Sequence, residues 1–280
     1  MILNFTKMQS AGNDFIVIDN RHSGISRGYS KLAKKLCQRP FSIGADGLLV
    51  IEDSKTADFK MLIFNPDGSQ AEMCGNGGRC IAYYAYLNKI APRKMSFETL
   101  AGKISAEIKN REVKLQMTDP HNIRLNFQIP LNPPLIKGEI KKGDLKDVSF
   151  INTGVPHTVL FCSNMDAVDV NKIGRAIRYH SKFAPAGTNV NFVRKSKNSK
   201  NTLYVRTYER GVEQETYACG TGAVASAVIA GLKNIVSSPV KCRTSGGEIL
   251  KVSFSISGKN VHNVYLEGPV KVSFTGKINI

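Results

Sequence analysis

Hydrophobic and polar residues alternate along several short segments of the chain, with the period of two that indicates β-strands. The first clear example is Phe-Ile-Val-Ile-Asp at residues 15–19. Two longer alternating segments, residues 103–117 and 249–266, are interrupted by polar or glycine residues and therefore predict hairpins. Residues 59–69 and 202–211 predict strands that end in turns.

Two further segments are apolar without alternation. Residues 81–87 and 223–232 carry no charge, and a helix that is apolar on all sides belongs in a core. Each follows the pattern Cys-Gly-polar-Gly, which begins at Cys74 in the first case and at Cys219 in the second. We therefore predict two buried helices, each beginning beside a cysteine.

The two halves of the chain repeat the same landmarks in the same order. A single repeated landmark arises by chance, whereas several at a nearly constant separation indicate an internal duplication. The pairs are Cys74 and Cys219, Thr99 and Thr244, and Gly102 and Gly247 (145 residues apart), Gly44 and Gly187 (143), and Gly12 and Gly154 (142).

These patterns predict an α/β (α+β) fold of two pseudo-symmetric domains. Each domain is expected to be a curled, mostly antiparallel sheet around a central buried helix. We place the joints at residues 118–120 and 267–269. The first domain is then 1–119 plus 268–280 and the second is 120–267, with the last strand (270–276) returning to the first domain.

The composition is that of an ordinary globular protein, with 280 residues, 42% hydrophobic and 22% charged. No run of about eighteen apolar residues is present, so no membrane partner is expected. The first residues lack the basic and apolar regions of a signal peptide. We therefore expect a cytoplasmic protein.

The net charge of +17 raises the question of nucleic-acid binding. The lysines cluster in turn-like segments such as 141–146 and 194–201, and no recognition helix, zinc finger or RNP motif accompanies them. We therefore expect a solvated basic surface and no nucleic-acid partner. Such a surface still attracts small anionic substrates through its field.

Six cysteines and five histidines are present, but none has the spacing of a metal site. Disulfides are not expected in a large intracellular chain, and no Cys-x-x-Cys motif of a thiol–disulfide oxidoreductase occurs. We expect no metal. Four of the cysteines lack a special setting and are expected to be small buried hydrophobes: Cys37, Cys80, Cys162 and Cys242.

Cys74 and Cys219 have a different setting because each precedes a predicted helix. A helix N-terminus favours an anion, so a cysteine there is typically a thiolate. In a duplicated chain we expect the two thiols to face each other across a cleft. Backbone N–H groups are then available to hold a substrate carboxylate. They belong to Gly75, Asn76, Gly220 and Thr221.

Two opposed thiols around a carboxylate predict one chemistry. One thiolate removes the α-proton of an amino acid, and the other thiol returns a proton to the opposite face. The stereocentre is inverted, and no pyridoxal phosphate is required. A glycine-flanked cysteine at a helix start is also a common packing feature, but its repetition at symmetric positions favours catalysis.

Five stretches resemble the diaminopimelate epimerase family, and the resemblance covers essentially the whole chain. It implies conversion of LL-diaminopimelate to the meso form for lysine and peptidoglycan synthesis, without a cofactor and in a homodimer. The stretches are GNDF (12–15), FNPDGSQAEMCGNGGRC (64–80), GVPH (154–157), GTNVNF (187–192) and YERGVEQETYACGTGA (208–223).

The resemblance also implies roles for individual residues. Cys74 and Cys219 match the acid/base pair, and either serves as the base depending on the direction of reaction. His157 and Glu209 match residues that tune the thiols. The residues matching those that hold the far end of the substrate are Asn13, Asn65 and Asn189, with Glu209 and Arg210 reading its ammonium and carboxylate.

These residues also have structural interpretations. Asn13 and Asn65 are each followed by Asp or Pro and so are candidates for turn residues. His157 after a proline is compatible with a strand edge, and adjacent Glu209 and Arg210 are compatible with a solvated pair.

The chain departs from some family members at two positions. Gly47 stands where they carry glutamine, and Val155 stands where they carry asparagine. The nearest alternative function is a racemase of proline, hydroxyproline or histidine from the same superfamily. The phenazine-biosynthesis relatives lack the cysteine pair. A substrate with a second zwitterionic end is favoured by Glu209 and Arg210.

Overall fold

The computed structural model describes residues 2–22, 24–25, 28–129, 147–258 and 260–280. The basic segment 141–146 lies outside the described residues. The chain forms two compact units, Met1–Gln116 with Glu267–Ile280, and Met117–Leu266. The division into domains 1–119 plus 268–280 and 120–267 stays a prediction.

The first unit contains the predicted strands and one of the predicted buried helices. Its elements are β1 (Ile2–Ser10), β2 (Asn13–Asp19), α1 (Tyr29–Leu36), β3 (Gly47–Glu52), β4 (Phe59–Phe64), β5 (Gln70–Ala71), α2 (Gly75–Leu87), β6 (Lys94–Thr99), β7 (Gly102–Lys109), β8 (Glu112–Gln116) and β18 (Lys271–Asn279).

The second unit repeats this order. Its elements are β9 (His121–Phe127), β10 (Val148–Asn152), β11 (Pro156–Phe161), α3 (Val170–Arg178), a 3₁₀ turn (Ser181–Phe183), β12 (Asn189–Lys195), β13 (Thr202–Glu209), β14 (Gln214–Thr216), α4 (Gly220–Leu232), β15 (Val240–Thr244), β16 (Ile249–Ser257) and β17 (Asn260–Pro269), which crosses the second boundary.

The strand pairing is also repeated. In the first unit the order is β18-β1-β2-β3-β4-β6-β7-β8, with β2/β3 and β4/β6 parallel and the other neighbours antiparallel. In the second it is β9-β10-β11-β12-β13-β15-β16, with β11/β12 and β13/β15 parallel. The mostly antiparallel sheet and the duplication are confirmed, and the last strand, β18, pairs with β1.

Each sheet curls around one helix. Helix α2 contacts β1, β2, β3, β4, β7 and β8, which lie at both ends of the strand order. Strands are about 4.8 Å apart, so these six intervals span about 29 Å on a flat sheet, more than twice the roughly 11 Å diameter of a helix. Only a curled sheet brings both ends to the same helix, and α4 contacts its own sheet from β10 to β16 in the same way.

The two central helices are buried as predicted. Nearly all of α4 is inaccessible to solvent, because Ala, Val, Ile and Gly occupy most of it and the one buried hydroxyl, of Ser226, donates to the carbonyl of Gly222 at 2.7 Å. Helix α2 is similar but carries two buried polar side chains, Asn76 and Arg79. Both belong to the hydrogen-bond network described below.

Two helices on the outer faces, and several strands including β1, were not among the predicted elements. Helix α1 packs Leu32, Ala33 and Leu36 against the outer face of the first sheet, and α3 packs Ile173 and Ile177 against the second. Their apolar residues recur at helical spacing, which is the sequence signal for both. In addition, Asp169 caps α3 by accepting a hydrogen bond from the backbone N–H of Lys172 at 3.0 Å.

Among the described residues, no helix combines the length and the apolar character needed to cross a bilayer.

Gly174 lets α3 approach the second sheet closely. A Cβ atom added there would lie 2.4 Å from Cβ of Tyr208, which is itself buried. We expect Gly174→Ala to lower the free energy of unfolding by about 1–3 kcal/mol, because overpacking outweighs the gain of about 1 kcal/mol in helix propensity. Urea unfolding measures this. The exposed Lys31→Ala in α1 should change stability by less than about 0.5 kcal/mol, and an equally stable Gly174→Ala would contradict the close approach.

Candidate active site

The first candidate thiol caps the N-terminus of α2. Cys74 has extended backbone angles, and its Sγ accepts a hydrogen bond from the backbone N–H of Gly77 at 3.5 Å. This is the position that Ser, Thr, Asp or Asn usually fills, with a side-chain oxygen as the acceptor. The thiol is half-buried. The sulfur therefore lies at the positive end of the helix dipole.

The second candidate thiol repeats this arrangement on α4. Cys219 has extended angles, and its Sγ accepts from the backbone N–H of Gly222 at 3.4 Å. The hydroxyl of Thr221 lies 3.4 Å from the same sulfur. The side chain is buried. The prediction that each cysteine lies at the start of a buried helix is confirmed.

The first N–H groups of each helix are directed away from the helix body and have no acceptor within it. In α2 they belong to Gly75 and Asn76, and in α4 to Gly220 and Thr221. Such groups, together with the dipole, make a site suited to a carboxylate. Their role in binding a substrate stays a prediction.

Glycine at the third helical position makes room for neighbouring groups. A Cβ at Gly222 would lie 2.3 Å from Oδ1 of Asn191 and 3.2 Å from the hydroxyl of Thr207. The constraint is weaker at Gly77, where the nearest atom would be Cδ2 of Leu49 at 3.1 Å. The first turn of α4 is thus packed directly against the polar side chains of the second sheet.

His157 is fully buried at the centre of that polar cluster. The side-chain nitrogen of Asn191 donates to the carbonyl of Thr158 at 3.0 Å, and the hydroxyl of Thr207 donates to its oxygen at 3.0 Å. These partners fix the orientation of the Asn191 amide. Its nitrogen therefore also donates to Nδ1 of His157 at 3.0 Å, which leaves the imidazole proton on Nε2.

The buried imidazole is neutral at physiological pH. Burial, together with the positive charge of Arg210, lowers the pKa of His157 to about 3. Its Nε2 has no hydrogen-bond partner among the described residues. His157 is therefore a neutral donor in this structure. The ring is enclosed by the fold, which the interpretation as a strand-edge residue does not account for.

Asn189 is fixed by two backbone groups. Its Nδ2 donates to the carbonyl of Pro156 at 3.0 Å, and its Oδ1 accepts from the backbone N–H of Arg210 at 2.8 Å. The side chain is buried and connects β11, β12 and the end of β13. The second N–H of the amide has no acceptor among the described residues.

Glu209 and Arg210 are both half-buried and have separate partners. Glu209 accepts from the hydroxyl of Thr216 at 3.0 Å, and the guanidinium of Arg210 donates to the carbonyl of Ala186 at 3.1 Å. Each side chain is thus oriented by its own hydrogen bond within the second unit.

Glu213 was not predicted to matter, yet it organises the turn that carries these two residues. Its backbone N–H donates to the carbonyl of Glu209 at 2.8 Å, and its carboxylate accepts from the backbone N–H of Gly211 at 3.0 Å. Arg178 pairs with the same carboxylate at 3.2 Å, and Tyr208 donates to it at 3.2 Å. No short-range sequence signal indicates contacts to a residue from α3.

In the first unit, Asn13 and Asn76 are hydrogen-bonded to each other. The Nδ2 of Asn13 donates to Asp46 at 3.0 Å, and its Oδ1 accepts from Nδ2 of Asn76. The Oδ1 of Asn76 accepts from the fully buried Arg79 at 2.6 Å, and Arg79 also donates to Ser10 at 3.0 Å. Asp46 and Arg79 were not among the predicted site residues.

Asn65 is an exposed turn residue, as its structural interpretation predicted. Its backbone N–H donates to the carbonyl of Ser69 at 2.8 Å, and its side chain donates to the hydroxyl of Ser69 at 2.9 Å. Its carbonyl accepts from Gly68 at 2.9 Å. A role in substrate binding stays a prediction.

The two departures from the family pattern, Gly47 and Val155, are each equivalent in the repeat to an asparagine of the other unit. Gly47 pairs with Phe15 just as Asn189 pairs with His157 in the second unit, and Gly47 and Asn189 are 142 residues apart. Val155 corresponds at the same separation to Asn13. Each unit therefore keeps one amide at these two positions, on β2 in the first and on β12 in the second.

The remaining cysteines are buried, as expected for small hydrophobes. Burial raises the pKa of Cys37 to about 11 and that of Cys242 to about 12, so both are protonated thiols. Within the described ranges, no cluster of three His, Cys, Asp or Glu side chains is placed to hold a metal ion.

Acid should destabilise the protein through His157. Because folding lowers its pKa, the unfolded chain takes up a proton first, so folding stability is lost as pH falls below about 6.5. The loss is about 1.4 kcal/mol per pH unit. We expect His157→Gln to reduce the fall in unfolding free energy between pH 7.0 and 4.5 by about 3 kcal/mol.

Urea unfolding followed by circular dichroism at the two pH values measures this difference. The exposed His22→Gln is the matched control and should behave as the wild type does. If His157→Gln and the wild type lose equal stability, the assignment of His157 as a buried neutral imidazole is wrong.

Comparison with known proteins gives one consistent result. The family model for diaminopimelate epimerase matches residues 5–123 and 149–272. A diaminopimelate epimerase from Hydrogenobaculum sp. (strain Y04AAS1) is 44% identical over 98% of this chain and 98% of that protein. Another from Aquifex aeolicus (strain VF5) is 44% identical over 99% of this chain and 98% of that protein.

Among solved structures, a PhzF-family phenazine biosynthesis protein from Bacillus anthracis has a TM-score of 0.77 over 100% of both chains, at 13% identity. This similarity shows the fold alone. The match in both halves and the full-length relatives show that the chain belongs to the diaminopimelate epimerase family.

Proposed function

We propose that the protein converts LL-diaminopimelate to meso-diaminopimelate by proton transfer between two thiols, without a cofactor. Family membership supports the substrate and the reaction. The main support for the two acid/base groups is that the same thiol cap is repeated on α2 and α4, with sulfur–nitrogen distances of 3.5 and 3.4 Å.

In each turnover, one cysteine accepts a single proton and the other donates one. The thiolate of one cysteine takes the α-proton and becomes a thiol, which leaves a carbanion at the α-carbon. The thiol of the other cysteine gives its proton to the opposite face and becomes a thiolate. Nothing is oxidised or reduced, and the reverse reaction exchanges the roles of Cys74 and Cys219.

The helix N-termini stabilise the charge in both stages. At rest, the N–H of Gly77 or Gly222 donates to the sulfur that carries the negative charge. During the reaction, negative charge develops on the substrate carboxylate next to the carbanion. The N–H groups of Gly75, Asn76, Gly220 and Thr221 are suited to receive it, since fixed donors cost no reorganisation.

Recognition of the far, non-reacting end distinguishes diaminopimelate from smaller amino acids. Arg210 supplies a guanidinium for a carboxylate, and Glu209 supplies a carboxylate for an ammonium. Both are half-buried, and Asn189 beside them keeps one N–H for a ligand. Asn13 and Asn65 complete the proposed set. Proline or histidine has no second zwitterionic end, so these groups favour diaminopimelate over the substrates of the related racemases.

A homodimer and a cytoplasmic location remain part of the proposal because the family resemblance implies them. Light scattering of the purified protein tests the first at micromolar concentration. A mass equal to one chain of 30.7 kDa would contradict the dimer.

We expect Cys74→Ala and Cys219→Ala each to lower the rate of inversion by at least about 1,000-fold, because each removes one of the two proton-transfer groups. Proton NMR in D₂O with reduced protein and LL-diaminopimelate follows both loss of the α-proton signal and appearance of the meso isomer. Cys242→Ala is the matched control, since that thiol is buried with a pKa of about 12, and it should retain activity.

Inversion by either folded single variant within tenfold of the wild type would contradict the two-thiol mechanism. A wild type that exchanges the α-proton of proline, hydroxyproline or histidine instead would keep the mechanism and refute the substrate.

A further inference from the structure

The side chain of Asn13 is held in one orientation from both sides. A carboxylate only accepts hydrogen bonds, so the atom of Asn13 that faces Asp46 must be its nitrogen, at 3.0 Å. The oxygen then faces Asn76, which donates to it. Rotating the amide by half a turn would place its oxygen against the carboxylate of Asp46 and its NH₂ against that of Asn76.

Asp46 is itself fixed in place. The guanidinium of Arg39 donates to Oδ1 of Asp46 at 3.0 Å, while Oδ2 accepts from the backbone N–H of Asp14 at 3.2 Å as well as from Asn13. In return, the backbone N–H of Asp46 donates to the carbonyl of Asp14 at 2.9 Å. The hydrogen bonds that Arg39 donates to Asp14 and Asp46 raise its pKa, so it remains a cation.

The orientation of the Asn76 amide, which bonds to Asn13 from the other side, is equally determined. Arg79 only donates, so the atom of Asn76 that faces it at 2.6 Å must be its oxygen, and the nitrogen must point to Asn13. Arg79 is fully buried and is further held by Ser10, whose hydroxyl donates to the carbonyl of Pro269 at 2.8 Å.

Position 47 adds no side chain to this edge of the sheet. A Cβ atom at position 47 would lie 3.1 Å from the carbonyl oxygen of Phe64, so a side chain fits poorly there. Because Gly47 has no side chain, Asn13 supplies the amide of the β2/β3 strand pair. The orientation of one side chain then decides whether an N–H or an oxygen is presented to a ligand.

We propose that Asp46, held by Arg39, is a positioning residue that fixes the Asn13 amide for binding the far end of the substrate. The proposal deepens the function proposed above and rests on it for the role of Asn13. It also accounts for a charged pair that the proton-transfer chemistry does not use.

The test is a double-mutant cycle with Asp46→Asn and Asn13→Ala. An amide at position 46 presents either an oxygen or an NH₂ to Asn13, so the constraint from this side is lost and only Asn76 still orients the amide. We expect Asp46→Asn to raise KM for LL-diaminopimelate about tenfold and to change kcat less than threefold, since the reacting end is untouched. In the Asn13→Ala background, Asp46→Asn should change KM less than twofold.

The urea midpoints of the same four proteins provide a readout that needs no activity. We expect the shift caused by Asp46→Asn to be at least halved when Asn13 is already alanine. Asp19→Asn is the matched control, because Asp19 lies on the same strand and pairs with Arg21 at 2.8 Å without contacting Asn13, so it should leave KM unchanged.

Three outcomes would overturn the proposal: an unchanged KM in Asp46→Asn, an equal rise in KM with and without Asn13, or a KM that Asn13→Ala does not alter. A wild type that does not epimerise diaminopimelate would instead refute the proposed function. In that case the urea midpoints still decide whether Asp46 holds Asn13.

Discussion

The structure of both halves depends on a hydrogen bond from a backbone N–H to a cysteine sulfur. A helix buried on all sides, such as α4, must satisfy the N–H groups of its first turn without help from bulk water. Here the N-cap thiol takes one of them, at Gly77 and again at Gly222. The same bond that completes the helix holds the sulfur at its positive end. Glycine at the donor position keeps the turn open, and in the second unit it admits the oxygen of Asn191.

The duplication explains why polar residues occur where they do. The strand pairs β2/β3 and β11/β12 are equivalent, and each carries one amide at the two corresponding positions. In the first unit it is Asn13, while Gly47 opposite Phe15 carries none; in the second it is Asn189 opposite His157, while Val155 carries none. The two departures from the family pattern therefore have the same effect in both units: each of these strand pairs retains a single amide.

The repeat and the hydrophobic period were sufficient to predict the parts of the fold built from local sequence. They located α2, α4, both thiols and several strands of both sheets, among them β2, β4, β7 and β8 in the first unit and β13, β16 and β17 in the second. Helices α1 and α3 were missed although their apolar spacing was present, because they are short and highly charged. Asp46, Arg79 and Glu213 had no local signal at all. Each makes at least one contact with a residue distant in sequence, Asp46 with Asn13, Arg79 with Ser10 and Glu213 with Arg178, which only the fold brings together. Asn191 lies two residues after Asn189 on the same strand, so the period of two could have identified it.

The two halves orient their amides by different physical means. In the second unit, Asn189 lies between a backbone carbonyl and a backbone N–H, which no side-chain substitution removes. In the first unit, Asn13 depends on side chains whose charge makes them acceptors or donors only, Asp46 at one end and Arg79 at the other. Burial makes such bonds strong but makes the loss of one partner costly. Orientation in the first unit is therefore the more sensitive of the two to substitution, although the two sheets share one topology.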